Sequence, residues 1–156
     1  MGKRANLLFF LSIVSAFLID RLGKFLVRTT LPLGDSTSIV KNFFSITYVQ
    51  NQGIIFGLFP LKNSLVITLN IAVIFTVIVI WNRFYYKSKS AWVSTGMGLI
   101  LGGELGNFLD RVTEGAVIDF LDFSFWPVFN WADLAICLGA AMIIWNIVRT
   151  GRSCAS

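Results

Sequence analysis

Two aspartates in the last third of the chain are placed so that they can meet as a paired acid and base. Asp119 follows the apolar Ala116-Val117-Ile118, and Asp133 lies at the start of a long apolar stretch. The residues between them, including Pro127, are numerous enough for a loop that brings the two carboxyls together. Two adjacent carboxyls do not both ionise easily, so such a pair retains one proton. The ionised member can activate water and the protonated member can polarise a carbonyl, which predicts peptide hydrolysis.

The composition restricts the competing chemistries. The 156 residues include no histidine and two cysteines, Cys137 and Cys154. Histidine-based acid–base catalysis, Ser/His/Asp and Cys/His triads and histidine-containing zinc sites are therefore excluded, and we expect neither a metal nor another cofactor. A Ser/Lys dyad is disfavoured because Lys24 has Asp20 as its expected partner, four residues earlier on the same helix face.

The apolar composition predicts a membrane protein. Hydrophobic residues make up 56% of the chain and charged residues 13%, whereas soluble domains carry roughly 25% charged residues. Four stretches, at about residues 5–27, 64–81, 91–109 and 131–148, have the roughly 20 mostly apolar residues that cross a bilayer core. We predict an all-α polytopic membrane protein with four transmembrane helices, forming a single domain over residues 1–156.

The segment after the first predicted helix favours β-structure. Ser36–Gln50 is rich in β-branched and aromatic residues that partly alternate with polar ones. This pattern predicts a small sheet on the membrane surface, closed by a turn at Asn51-Gln52-Gly53. Ile54–Leu61 is apolar again and predicts a short interfacial segment.

The basic residues predict the orientation of the helices. The net charge is +5, and the loop Asn82–Ser90 carries three bases and no acid, while both ends of the chain are basic. The positive-inside rule places all three in the cytoplasm and explains the charge without nucleic-acid binding. Lys3 and Arg4 before Leu7–Leu18 are also typical of a cleaved signal peptide, but the apolar pattern resumes after Asp20 and favours an uncleaved helix.

Two local patterns predict how the helices pack. Asp20 and Lys24 should form an ion pair inside the bundle, and Asn130 should cap the fourth helix, whose dipole favours Asp133 as an anion. Small residues spaced along the third helix predict close helix–helix contact. These are Gly96, Gly98, Gly102, Gly103 and Gly106.

Five motifs, spread over nearly the whole chain, resemble those of the lipoprotein signal peptidases (signal peptidase II). Asp20 and Lys24 match D-x-x-x-K, Asn51–Phe56 is similar to N-x-G-A-A-F, Gly102–Arg111 to G-G-x-x-G-N-x-x-D-R, Val117–Phe120 to V-V-D-F, and Phe129–Asp133 to F-N-x-A-D. Three positions depart from these motifs. Ile54 and Ile55 replace two alanines, and Glu104 stands where a small apolar residue is usual.

The resemblance implies a four-helix membrane aspartyl protease with an outer β-cradle over about residues 36–60. It implies that Asp119 and Asp133 are catalytic. It also implies a substrate-binding or dyad-supporting shell of Asn51, Gly53, Asn107, Arg111 and Asn130, and a structural polar set of Asp20, Lys24 and Asp110. The implied substrate is a prolipoprotein with diacylglycerol on its lipobox cysteine, cut immediately before that cysteine. The implied location is the bacterial cytoplasmic (inner) membrane, among membrane lipids, with cytoplasmic termini and the active site near the outer face. We expect a monomer, because a bundle that encloses its own site has no need of a second subunit.

Two other classes of function remain open from the sequence. Ionisable residues within the bundle are also found in proton- or ion-coupled transporters, and a glycine-rich third helix is compatible with a non-catalytic assembly protein. Replacing both aspartates by asparagine would leave the assembly protein working, and liposome flux would reveal the transporter.

Overall fold

The computed structural model describes residues 2–53, 63–85 and 90–152. Its helices are α1 (Gly2–Thr30), α2 (Asn63–Ile80), α3 (Ala91–Thr113) and α4 (Trp131–Arg152), and a π-helical turn over Trp81–Tyr85 continues α2. The strands are β1 (Ser36–Val40), β2 (Phe44–Asn51) and β3 (Val117–Phe123). The predicted interfacial segment Ile54–Leu61 lies outside the described residues.

Within the described ranges, three helices are long and apolar enough to cross a membrane. These are α1, α2 and α4, in the stretches Lys3–Thr30, Ser64–Arg83 and Trp131–Thr150. Most of their apolar residues face outward, including Leu11, Phe75 and Ile144, as expected for contact with lipid. The helix α3 has 23 residues, but its crossing of the membrane stays a prediction.

Close packing of α3 against its neighbours explains its many glycines. A Cβ atom on Gly102 would lie 2.5 Å from the carbonyl oxygen of Ile13 in α1, and one on Gly103 would lie 2.5 Å from that of Ala132 in α4. Such distances are too short for any side chain, so each glycine lets a neighbouring backbone reach α3. The close contact predicted from the glycine spacing is confirmed, and α3 lies between α1 and α4.

The described strands form an antiparallel sheet in the order β1-β2-β3. The predicted cradle covers about residues 36–60, and the stretch before Pro127 is predicted as a loop. The loop prediction is wrong, because Val117–Phe123 forms the third strand. Its apolar run is short and is interrupted by acids, so only pairing with β2 makes it a strand. In that pairing Val49 lies opposite Asp119, and Asn51 opposite Val117.

Two apolar clusters pack at different levels of the bundle. One includes Phe9 and Trp81, whose stacked rings lie 4.0 Å apart. The other joins Val27 of α1 to Tyr48 of β2 and Ile118 of β3. Along α1 the polar residues Asp20 and Lys24 lie between Phe9 and Val27, so a polar layer is enclosed between two apolar ones.

Candidate active site

Asp119 is a buried carboxyl on the central part of β3. Only 2% of the surface of Asp119 is exposed. Its Oδ2 accepts a hydrogen bond of 2.9 Å from Asn51 Nδ2, and its Oδ1 accepts one of 2.6 Å from Asn130 Nδ2. The pairing of β2 with β3 therefore brings Asn51, at the end of β2, beside Asp119.

Asp133 lies in the first turn of α4, where it takes part in the helix cap. The Asn130 side chain accepts from the Asp133 backbone N–H at 2.9 Å, and the Asp133 Oδ2 accepts from the Asn130 backbone N–H at 3.2 Å. This reciprocal arrangement is a capping box, and it confirms Asn130 as the N-cap. The other carboxyl oxygen, Oδ1, accepts from Asn107 Nδ2 of α3 at 2.8 Å.

Asn130 links the two aspartates. It is fully buried, its amide donates to Asp119, and its backbone donates to Asp133. Its Nδ2 also lies 3.1 Å from Asn107 Oδ1, which accepts in addition from Lys24 Nζ at 3.0 Å. Each carboxyl is thus held by amides from two different elements, which gives it little freedom to rotate.

Both carboxyls line one cavity of about 200 Å³, called here the aspartate cavity. Its walls are formed by Asn51, Gly53, Asn107, Arg111, Val117, Asp119, Asp133, Ile136 and Cys137. Four of the five predicted supporting residues line it, and Asn130 lies buried behind it. The backbone N–H of Gly53 donates to Asn51 Oδ1 at 2.9 Å, which confirms the predicted turn.

Three residues of the cavity wall were not predicted from the sequence. Ile136 and Cys137 follow Asp133 by three and four positions, so they lie on the same face of α4. That spacing could have identified them. Val117 reaches the cavity only because β3 is a strand, which the sequence did not indicate.

The predicted structural polar residues form a buried ion cluster next to the cavity. Lys24 Nζ lies 2.8 Å from Asp20 Oδ2 and 2.6 Å from Asp110 Oδ2, and all three side chains are fully buried. The ion pair of Asp20 with Lys24 is therefore confirmed. Arg21, which the sequence analysis did not select, also pairs with Asp110.

The ion cluster joins the elements that carry the aspartates. Asp20 Oδ1 accepts from the backbone N–H of Ala132 in α4 at 3.0 Å, and Asp110 Oδ2 accepts from that of Ile118 in β3 at 3.3 Å. Breaking a buried ion pair leaves an uncompensated charge and costs several kcal/mol. The cluster therefore keeps the neighbours of both Asp133 and Asp119 in place.

The environment of Asp119 changes its titration. Burial, followed by the nearby charge of Asp133, raises the pKa of Asp119 from its ordinary range to about 7. The hydrogen bonds from Asn51 and Asn130 act in the opposite direction because they favour the ionised carboxyl. A pKa of about 7 means that Asp119 is partly protonated near neutral pH.

Comparisons with known proteins point to one family. The model of the family described as signal peptidase (SPase) II matches residues 12–149. The lipoprotein signal peptidase of Halothermothrix orenii is 39% identical over 146 residues, covering 91% of this chain and 98% of the relative. That of Pelotomaculum thermopropionicum is 39% identical over 140 residues, covering 90% and 91%.

A solved structure has the same fold. A bacterial membrane enzyme determined by the in meso method at 2.3 Å resolution superposes with a TM-score of 0.82 at 27% identity, covering 90% of this chain and 87% of that one. The family match extends over most of the chain and includes α1 from residue 12, the sheet, the ion cluster and both aspartates. The chain therefore belongs to the signal peptidase II family, the lipoprotein signal peptidases.

Proposed function

We propose that Asp119 and Asp133 form an aspartyl dyad that cleaves diacylglyceryl-modified prolipoproteins immediately before the lipidated cysteine. Membership of the family makes the chain a peptidase that removes signal peptides from prolipoproteins, which favours a peptidase over the transporter and the assembly protein. One observation carries the aspartyl mechanism. Two aspartates from different elements line the same cavity and are linked through Asn130.

The proposed reaction uses one proton shared by the pair. The Asp133 carboxylate, favoured as an anion by the N-terminus of α4, takes a proton from water as the water oxygen bonds to the scissile carbonyl carbon. Protonated Asp119 donates to the carbonyl oxygen, and its pKa of about 7 suits that role. The C–N bond then breaks as Asp133 gives its proton to the leaving amine. A hydroxyl of the tetrahedral intermediate returns its proton to Asp119 as the C=O bond re-forms, so the pair again holds one proton.

The neighbouring polar residues support this reaction in different ways. Asn51, Asn107 and Asn130 orient the two carboxyls through the hydrogen bonds described above. Arg111, in the cavity wall, offers N–H donors to carbonyl oxygens of a bound peptide. Gly53 has no side chain, and this leaves room for a peptide at the wall.

The membrane does part of the work of substrate binding. We place both ends of the chain in the cytoplasm and the aspartate cavity near the outer face, because the basic residues flank the helices on the opposite side. Each buried acyl CH₂ contributes about 0.8 kcal/mol to membrane attachment. A lipidated substrate is therefore concentrated at this depth, and a single copy of the chain encloses the whole site.

The test compares three variants, each with one aspartate replaced by asparagine. Asp119→Asn and Asp133→Asn should each reduce cleavage of a diacylglyceryl-modified precursor in lipid nanodiscs by about 10³-fold, because each removes the acid or the base. Asp122→Asn is the matched control. It lies on the same strand, where its Oδ2 accepts from Thr47 at 2.7 Å, and it should retain near wild-type cleavage.

Two outcomes would contradict the proposal. Wild-type cleavage by Asp119→Asn or Asp133→Asn would exclude a dyad mechanism. Equal cleavage of precursors with and without the diacylglyceryl group would exclude the proposed substrate preference.

A further inference from the structure

We propose that Glu104 of α3 and Asn70 of α2 position the Arg111 guanidinium at the wall of the aspartate cavity and so determine how tightly substrate binds. The inference rests on the proposed function, because it places Arg111 in the substrate-binding site. Neither Asn70 nor Glu104 lines the cavity, so both are positioning residues that act through Arg111.

The three side chains form a continuous hydrogen-bonded chain between two helices. Arg111 Nη1 donates to Asn70 Oδ1 at 3.1 Å, and Asn70 Nδ2 donates to Glu104 Oε2 at 2.5 Å. Glu104 and Arg111 are seven residues apart on α3, which is close to two helical turns, so they project from the same face. Asn70 of the neighbouring helix bridges the interval between them.

The chemistry of the two ends fixes the orientation of the Asn70 amide. A guanidinium has only donors and a carboxylate has only acceptors. The observed orientation therefore satisfies both, with the amide oxygen toward Arg111 and the amide nitrogen toward Glu104. Rotating the amide by half a turn would bring donors against donors and acceptors against acceptors. Glu104 thus keeps the acceptor of Asn70 directed at Arg111.

The location of these groups argues against an incidental contact. Asn70 is the single amide between Ser64 and Trp81, a stretch otherwise rich in Ile, Val, Leu and Phe. Polar groups within an apolar span are costly unless they are paired, and they commonly serve function. Both Asn70 and Glu104 are half-buried between the helices, and the carboxylate of Glu104 offsets the charge of Arg111 there.

Loss of this hydrogen-bonded chain of side chains should weaken substrate binding more than it slows the chemical step of cleavage. Asn70→Leu removes the hydrogen bond from Asn70 to the guanidinium, and Glu104→Leu removes the acceptor that orients the Asn70 amide. In both variants the guanidinium is less well positioned and can turn toward the aspartates that share its cavity. We expect KM to rise about tenfold, equivalent to about 1.4 kcal/mol, with kcat changed less than about threefold. Glu104→Gln should retain a near wild-type KM, because the amide oxygen of the glutamine can still accept from Asn70.

A matched control separates positioning from simple stapling of helices. Ser90 Oγ donates to Asn146 Oδ1 at 2.9 Å, linking the start of α3 to α4 away from the cavity. Asn146→Leu should lower the melting temperature about as much as Asn70→Leu and leave KM unchanged. The measurement is a full kinetic analysis of the whole chain in nanodiscs with a diacylglyceryl-modified precursor peptide, together with thermal unfolding.

The outcomes distinguish this inference from the proposed function. If Asn70→Leu and Glu104→Leu lower the melting temperature but leave KM unchanged, the contacts are structural and the inference is wrong. If the double variant raises KM by the product of the single effects, the residues do not act as one chain, and the inference is also wrong. These results leave the dyad intact as long as Asp119→Asn abolishes cleavage, whereas wild-type cleavage by Asp119→Asn overturns the dyad itself.

Discussion

Burial and hydrogen bonding shift the pKa of Asp119 in opposite directions. Burial and the charge of Asp133 raise its pKa to about 7, while Asn51 and Asn130 donate to its two oxygens and limit the rise. A carboxyl with this pKa can hold a proton at neutral pH and release it within a catalytic cycle. Of the two residues that donate to Asp119, Asn51 is the more accessible to substitution, because it also lines the cavity.

Replacing Asn51 should shift the pH dependence of cleavage. If Asp119 acts as the acid, activity is present below its pKa and is lost as the pH rises through about 7. Asn51→Ala removes a hydrogen bond that stabilises the ionised form, so the pKa rises and the alkaline limb of kcat/KM should move upward by about one pH unit.

The control for this measurement is the neighbouring residue on β2. Gln50→Ala alters an exposed side chain and should leave the limb where it is in the wild type. A limb that stays unchanged or moves to lower pH in Asn51→Ala would show that Asp119 is not the acid.

At the scale of elements, α3 connects the ion cluster to the end of α4 that carries Asp133. A Cβ atom on Gly106 would lie 2.5 Å from Asp20 Oδ2, and Asp20 accepts from Ala132 one residue before Asp133. A methyl group on α3 would therefore displace the carboxylate that holds the first turn of α4. The glycine is required both for packing and for the position of Asp133.

Two glycine variants should separate these roles. Gly106→Ala and Gly102→Ala should both lower stability, by about 1–3 kcal/mol, as overpacked interiors do. Gly102 faces Ile13 and Ala16 of α1 rather than the ion cluster. We therefore expect kcat to fall about tenfold in Gly106→Ala alone, measured on the folded fraction. Equal kcat values in the two variants would contradict the link from α3 to Asp133.

At the scale of the whole molecule, apolar outer faces surround a polar layer. The outward residues of α1, α2 and α4 suit lipid, whereas Asp20, Lys24 and Asp110 are fully buried among the helices. The sheet packs at the end of α1 through Val27, Tyr48 and Ile118. This arrangement opens the aspartate cavity beside the sheet, at the end of the bundle that we place outside the cytoplasm.

Cysteine labelling tests this orientation. In a chain whose Cys137 and Cys154 are replaced by serine, Thr37→Cys on the exposed strand β1 should react with a membrane-impermeant maleimide applied to spheroplasts. Lys87→Cys, in the basic loop, should react only after the membrane is permeabilised. The reverse labelling pattern would place the cavity on the cytoplasmic side.

Features that depend on residues close together in the sequence were predictable from it. Long apolar runs located the four helices to within a few residues, the i,i+4 spacing indicated the pair of Asp20 with Lys24, and Asn130 was identified as a helix cap. The strand β3 was not predicted, because its short run of apolar residues becomes a strand only when β2 supplies the hydrogen-bonding partner.

The sequence by itself determined which groups are available for chemistry: no histidine, few charges, and two aspartates that flank a short connection. The tertiary structure decided which of them meet. Lys24 reaches Asp110 and Asn107, more than 80 residues away, and Asn70 reaches Arg111 from another helix. Local spacing carries no information about such contacts, since they depend on how the helices pack. The close approach of α1 that brings Lys24 to Asp110 requires the glycines of α3.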